Sequence, residues 1–290
     1  MKRIVGKIIR TIGYFIGFSV LLYPSVSKYV NQLHGTAVVS DYQQKVSHAT
    51  EDQENQMFAE AQAYNERILG TSGLEDPFSG ELKPKNPEYE SLLNMNGNGM
   101  MGYIEIPAIK VLLPIYHGTS ESVLQVGVGH LEQTSLPVGG ASTHVALSGH
   151  RGLPNARLFT DLDQLVIGDV FYIKVLNRTL AYQVDQILTV LPDETEALEI
   201  TPGADQVTLI TCTPYAINTH RLLVRGTRIP YEEAVEVTDE LEIKPQVNLT
   251  QQLLMMGICA VLIIWVIVTS IRIMRWMKRG KKAEETDIEE

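Results

Sequence analysis

Two strand patterns and the loop between them decide the fold, and they fill residues 206–228, QVTLITCTPYAINTHRLLVRGTR. Residues 207–211 form an apolar, β-branched run with period-two alternation, which is typical of a buried strand. Pro214 ends this strand, because proline lacks the N–H that a ladder needs. A second strand pattern begins at Arg221 and runs to about residue 229.

Antiparallel pairing of these strands would bring Cys212, at the end of the first strand, close to Arg221. The loop between them, 213–220, has eight residues, which is long for a hairpin. A long loop beside reactive side chains is more often functional than accidental. Arg225 lies on the same strand face as Arg221 and is a secondary candidate for the same site.

The residues before this hairpin carry further strand patterns. Predicted strands cover 103–106, 111–116 and 143–147, and a long hairpin opened by Gly168 has its turn at Asn177 and Arg178. Short helices are predicted over 122–126 and 157–165. At least seven short strands in roughly 130 residues favour a closed antiparallel barrel or a sandwich.

The ends of the chain look like membrane segments. Residues 253–271 are nineteen in a row without a charge, long enough to cross a bilayer as a helix. Basic residues follow this run, which places the C-terminal tail in the cytoplasm by the positive-inside rule. An uncharged run at 11–27 follows basic residues at the N-terminus and reads as a second span or a signal segment. In either case, the region between the two uncharged runs is expected to lie outside the cytoplasm.

Charge and cysteine content exclude several function classes. The exported region carries 13 basic and 29 acidic residues, a net charge of -16, so nucleic acid is not an expected partner. Its only cysteine is Cys212, since Cys259 lies in the predicted span. A single cysteine in an exported domain suggests intermolecular pairing or a reactive thiol. Metal-, phosphate- and dinucleotide-binding motifs are missing, so no metal or cofactor is expected.

Three side chains are candidates for acyl-transfer chemistry. Cys212 is either a small buried hydrophobe or a nucleophile, and arginines on the next strand favour its thiolate. His150 stands out among seven histidines because SGHRG places it just past a strand, between glycines that would let a substrate backbone approach. It would protonate a leaving amine. Arg221 is either part of a solvated edge or the group that stabilises the oxyanion.

Three motifs carrying these residues resemble the sortase family of Gram-positive transpeptidases. They are SGHRG at 148–152, TLITC at 208–212 and THRLLVRG at 219–226, and the resemblance covers about 100–229. It implies a sortase β-barrel in which Cys212 attacks the Thr carbonyl of an LPxTG-like sorting signal. His150 would protonate the leaving Gly amine, and Arg221 would hold the substrate carbonyl.

Two further features resemble the class C, pilin-polymerising branch of that family. One is the second predicted span, and the other is Asp76-Pro77-Phe78, which looks like the lid motif of that branch. The resemblance implies that Asp76 pairs with Arg221 and that Phe78, where the family often has Trp, covers Cys212. Without it, DPF would read as an ordinary turn. A gating lid would make the isolated enzyme slow.

The resemblance and the patterns together divide the chain into seven segments. They are a membrane span or signal anchor (1–28), a polar helical segment (29–70), a lid loop (71–99), the β-barrel (100–232), a linker (233–252), a transmembrane helix (253–271) and a cytoplasmic tail (272–290).

The expected product is a covalent pilus. In the class C branch a lysine of the next pilin subunit resolves the thioester, so the implied partners are pilin subunits with LPxTG-like signals and the lipid bilayer. The expected location is the cell membrane, with the catalytic domain outside. Three alternatives stay open: a housekeeping sortase that anchors proteins to the cell wall, a non-enzymatic scaffold for pilus assembly, and a Cys and His hydrolase.

Overall fold

The computed structural model describes residues 2–69, 74–79 and 86–238, together with Gly257, Trp265 and Val268. The chain divides into two units, Met1–Ile243 and Lys244–Glu290, and the second has only those three described residues. The tail at 272–290, most of the linker at 233–252 and all but these three residues of the predicted span at 253–271 therefore lie outside the described residues.

Eight strands close into a barrel, in the spatial order β1-β2-β3-β4-β7-β8-β6-β5. Most neighbours are antiparallel, but β2 with β3 and β4 with β7 are parallel. The strand bounds are β1 Met100–Ile106, β2 Val111–His117, β3 Val128–His130, β4 Thr143–Ser148, β5 Val170–Val175, β6 Arg178–Val190, β7 Asp205–Thr213 and β8 His220–Ile229. The mainly-β barrel that the sequence predicted is thus confirmed.

The core fills the barrel because inward-facing positions of neighbouring strands are apolar. Ile104, Val145, Leu209 and Val224 are fully buried there. Full burial of side chains of this size contributes about 1.5–3 kcal/mol each. The resulting frame holds β4, β7 and β8 side by side.

Five α-helices surround the barrel, at α1 Lys2–His48, α2 Glu51–Ile68, α3 Pro87–Ser91, α4 Glu121–Leu124 and α5 Tyr231–Thr238. Thr50 begins α2 through a capping box with Gln53, which satisfies two backbone donors. Asn65 then docks α2 on the barrel, because its amide exchanges two hydrogen bonds with the backbone of Leu136. No helix in the described part of the chain is both long and apolar enough to count as a membrane span.

Several local predictions were wrong. Residues 157–165 form turns and a single 3-10 turn, Leu162–Gln164, instead of a short helix. The β5–β6 turn is made by Leu176 and Asn177, one residue earlier than predicted, with Leu176 in the left-handed region (φ 52°). The loop predicted over 71–99 contains α3, and β3 had no sequence signal of its own.

The short helix predicted over 122–126 is present as α4, Glu121–Leu124.

Candidate active site

Cys212 and Arg221 face each other across two adjacent strands. Strands β7 and β8 pair antiparallel with Cys212 opposite Arg221 and Thr213 opposite His220. Cys212 therefore lies one residue before the end of β7, and the connecting loop shortens to 214–219. Both residues are buried, with 7% and 9% of their surfaces exposed, and the Cys212 thiol is free.

His150 reaches the same level of the barrel through strand β4. β4 and β7 are parallel, with Ser148 opposite Ile210, so continuing this register for two residues would place His150 level with Cys212. Two hydrogen bonds extend the register past Ser148: Gly149 N–H donates to Ile210 O at 3.0 Å, and the Thr211 hydroxyl donates to Gly149 O at 2.7 Å. Strands β7 and β8 thus carry the thiol and the guanidinium, and the segment that follows β4 carries the imidazole.

All three nitrogens of the Arg221 guanidinium donate hydrogen bonds. Its Nε and Nη2 donate to the two carboxylate oxygens of Asp76 at 2.7 and 2.6 Å. Its Nη1 donates to the carbonyl oxygens of Asn218 and His220, both at 3.1 Å. The hydrogen bonds to Asp76 raise the pKa of Arg221 further above its ordinary value. The ion pair is largely buried, since the side chains are 10% and 15% exposed.

The Phe78 ring contacts both Arg221 and His150. Its ring centroid lies 5.2 Å from the guanidinium carbon of Arg221 and 5.5 Å from the His150 ring. Asp76, Pro77 and Phe78 form a turn, which is closed by a hydrogen bond of 3.1 Å from Ser79 N–H to Asp76 O. The lid residues 76–78 therefore lie across the site, in contact with two of its three groups.

Cys212 is held in its protonated form by these surroundings. Burial raises the pKa of the Cys212 thiol, the Arg221 guanidinium lowers it, and the Asp76 carboxylate raises it again, with burial the strongest influence. Among the described residues, no hydrogen bond joins the thiol to His150. With the lid closed, the thiol is therefore not a poised nucleophile.

The glycines on either side of His150 pack against aromatic rings of this chain. A Cβ on Gly149 would lie 2.7 Å from the Phe159 ring, and one on Gly152 would lie 3.1 Å from the Tyr215 ring. These glycines let aromatic rings of this chain pack closely, which keeps the His150 loop in place.

Arg225 is not brought to the site. It forms a bidentate pair with Asp185, with both bonds at 3.0 Å, and lies opposite Thr208 instead of Cys212. Four residues along a strand span about 13 Å. The shared strand face suggested proximity, but the strand length separates the two arginines.

Two other residues near the site had no assigned role in the sequence. Glu121 lies at the start of α4, and its Oε2 is 3.3 Å from His150 Nε2. Arg151 donates from Nη1 to the Thr213 hydroxyl at 3.3 Å and pairs with Asp163, so it connects the loop after β4 to the end of β7. SGHRG already contained Arg151, whereas no sequence signal marked Glu121.

The described segments contain no group of three or more His, Cys, Asp or Glu side chains that could hold a metal ion.

Comparisons with known proteins identify relatives that share this fold. The family model for the sortase domain matches residues 104–229. A crystal structure of Streptococcus pneumoniae Sortase C, described as giving insights into pilin substrate specificity, is 47% identical with a TM-score of 0.63. The match covers 67% of this chain and 97% of that one. Sortase C1 from Streptococcus agalactiae is 50% identical with a TM-score of 0.61, and the match covers 67% of this chain and 98% of that one.

A curated relative is more distant. Sortase A from Streptococcus agalactiae serotype III (strain NEM316) is 32% identical over 131 residues, which are 44% of this chain and 52% of that protein. The chain thus spans about half the length of this curated relative and nearly all of each crystallised sortase C.

Proposed function

This chain belongs to the sortase family of cysteine transpeptidases, and on that premise we propose that it polymerises pilin subunits. It would cleave an LPxTG-like sorting signal, hold the acyl fragment as a thioester on Cys212, and pass it to a lysine amine of the next subunit. The higher identity to sortases C than to a sortase A supports the pilin branch.

One observation carries the assignment of roles. Cys212, Arg221 and the segment leading to His150 come from three adjacent strands and lie at one level of the barrel. Neighbouring strands are about 4.8 Å apart, so a peptide carbonyl placed over Cys212 is within side-chain reach of the other two groups.

The first half-reaction would proceed as an acyl transfer to sulfur. The Cys212 thiolate attacks the Thr carbonyl carbon, Arg221 N–H groups stabilise the oxyanion, and the C–N bond to Gly breaks as His150 protonates the departing amine. Four of the five Arg221 N–H groups already donate hydrogen bonds in the closed site. Withdrawal of Asp76 would free two of these donors for the substrate oxygen.

The second half-reaction needs a neutral amine. A lysine ammonium has a pKa near 10.4, so it is mostly protonated at neutral pH and must lose a proton to attack the thioester. His150, neutral after the first step, would accept that proton. Water can attack the same thioester, which accounts for a slow hydrolase side activity.

Membrane attachment belongs to the same proposal. The uncharged run at 253–271 and the basic residues beyond it support an anchor with the barrel outside the cell. A substrate anchored in the same bilayer would meet the site at a high effective concentration.

A housekeeping sortase is the second candidate, and the similarity to a sortase A favours it. Such an enzyme passes proteins to a cell-wall amine and makes no polymer. The lid residues and the sortase C relatives favour the pilin reaction.

The full chain, purified with a pilin subunit bearing an LPxTG-like signal, tests the proposal. We expect a ladder of covalent polymers that Cys212→Ala abolishes. A pilin variant lacking the acceptor lysine should stop at monomer, with the acyl-enzyme trapped or hydrolysed. Wall-linked monomer alone would support the housekeeping reaction, and undiminished assembly by Cys212→Ala would leave only a scaffold.

A further inference from the structure

We propose that Glu121 is the positioning residue for His150, orienting the imidazole through Nε2 so that Nδ1 is the nitrogen that exchanges the proton. The inference rests on the proposed function, because it concerns how His150 serves the same reaction. No motif pointed to this residue, which lies 29 positions before His150.

The contact is directional. Glu121 Oε2 is 3.3 Å from His150 Nε2, whereas Phe78 covers one face of the His150 ring. A carboxylate can only accept a hydrogen bond, so Nε2 must carry the proton in this arrangement. In the neutral ring that leaves Nδ1 as the lone-pair nitrogen, facing away from Glu121.

A second residue holds the carboxylate itself. Gln125 Nε2 donates to Glu121 Oε1 at 2.9 Å, from four positions further along the chain. Each oxygen of Glu121 thus has its own donor. This hydrogen bond from Gln125 is the main reason that the pKa of Glu121 is lowered, and the contact with His150 adds to it. The carboxylate therefore stays ionised over the working range of the enzyme.

The other charged groups around His150 are already paired. Arg151, the next residue, forms an ion pair with Asp163, and across the Phe78 ring Asp76 neutralises Arg221. Cys212 lies on the neighbouring strand. Among the described residues, Glu121 is therefore the carboxylate in direct contact with the imidazole, and this contact fixes the orientation of the ring.

The expected effect is moderate, because the Glu121 side chain is 66% exposed and water screens its charge. We expect Glu121→Gln to lower kcat/KM about ten-fold, mainly through kcat, since substrate contacts are unchanged. Glu121→Asp should recover part of the loss, and Gln125→Ala should cause a smaller loss in the same direction.

The experiment uses the full chain with Asp76→Ala as the parent, so that the lid does not limit the rate, and a fluorogenic LPxTG-like peptide. Glu88→Gln is the matched control, because Glu88 is an exposed carboxylate paired with Arg67 on another helix. It should leave kcat and KM at the parent values. A Glu121→Gln variant with the same kcat as the parent would overturn the proposal.

A second readout does not depend on activity. NMR spectra of nitrogen-labelled histidine in the Cys212→Ala chain should show the His150 ring with its proton on Nε2, and Glu121→Gln should weaken that preference. If the parent fails to cleave peptide, the proposed function falls while these spectra still decide the role of Glu121. A ring protonated at Nδ1, or the same tautomer balance in Glu121→Gln, would refute it.

Discussion

The thiol of Cys212 and the guanidinium of Arg221 are restrained by one carboxylate. Asp76 occupies two donors of Arg221 and also raises the pKa of the thiol. Its removal therefore acts twice in the same direction, by freeing the oxyanion donors and by favouring the thiolate. At this scale the closed site is an inhibited arrangement of the reacting groups.

Asp76→Ala should speed both peptide cleavage and alkylation of Cys212 by iodoacetamide, each about ten-fold at neutral pH. A ten-fold change corresponds to about 1.4 kcal/mol, which is in the range of a partly buried charge contact. Asp185→Ala is the control, since it removes a carboxylate from Arg225 on the same strand. Equal or slower rates in Asp76→Ala would rule out a gating lid.

Arg221→Lys should lower kcat on the order of 100-fold in the Asp76→Ala background, because an ammonium cannot reproduce two fixed donors at an oxyanion. Arg225→Lys, on the same strand face, should leave the rate of peptide cleavage unchanged. Single-turnover measurement of acyl-enzyme formation distinguishes the two. A similar loss in both variants would contradict the assignment of Arg221.

The packing of α2 on the barrel illustrates what holds an element in place. Phe58, Ala61 and Tyr64 join the barrel core, while Asn65 pairs with both the N–H and the C=O of Leu136. The polar pair fixes the rotation of the helix, since it satisfies the buried N–H of Leu136, while the C=O of Leu136 also accepts a hydrogen bond from Val138 N–H.

Asn65→Ala should lower the free energy of unfolding by about 2 kcal/mol, because it leaves the backbone N–H of Leu136 buried and unpaired. Urea denaturation of the full chain measures the change. Asn55 lies on the same helix and accepts an exposed hydrogen bond from Arg178 of β6. Asn55→Ala should keep the free energy of unfolding within about 0.5 kcal/mol of the parent value. Equal losses in the two variants would show that the Leu136 contact is not specific.

For the molecule as a whole, buried histidines link stability to pH. His130 lies in β3, fully buried, with Nδ1 2.8 Å from the Tyr89 hydroxyl and Nε2 2.8 Å from Ser135 O. Burial lowers the pKa of His130 to about 4. Burial also lowers the pKa values of His117 and His144. His130 is therefore neutral in the folded barrel at pH 6, and His117 and His144 bind protons less readily than free histidine does.

Acidification should destabilise the protein. Between the unfolded pKa of about 6.5 and the folded pKa of about 4, the unfolded chain binds a proton that folded His130 does not. The free energy of unfolding should thus be level above pH 7 and fall by about 3 kcal/mol towards pH 4 from this residue alone. His130→Gln should flatten the dependence, and exposed His48→Gln should not. Identical pH slopes in the two variants would contradict the assignment.

Much of the barrel followed from local sequence patterns. Alternating β-branched residues and Pro214 predicted β7, and one loop sufficed to set Cys212 opposite Arg221. A contact closed by a single loop needs only its two strand patterns and the turn between them. His150 and Asp76 were identified from motifs instead. Both lie far from Cys212 in the chain, so sequence position alone does not predict how close they are to it in the fold.

Sequence alone therefore determined the β-rich class, the hairpin with its thiol and arginine, and the family to which the motifs belong. Only the closed barrel decided that Glu121 meets His150, that Arg225 lies away from the site, and that the glycines beside His150 face aromatic rings. The physical reason is that these contacts depend on the order and register in which distant strands pair. Parallel pairing of β4 with β7 joins segments 62 residues apart, and no local propensity encodes that register.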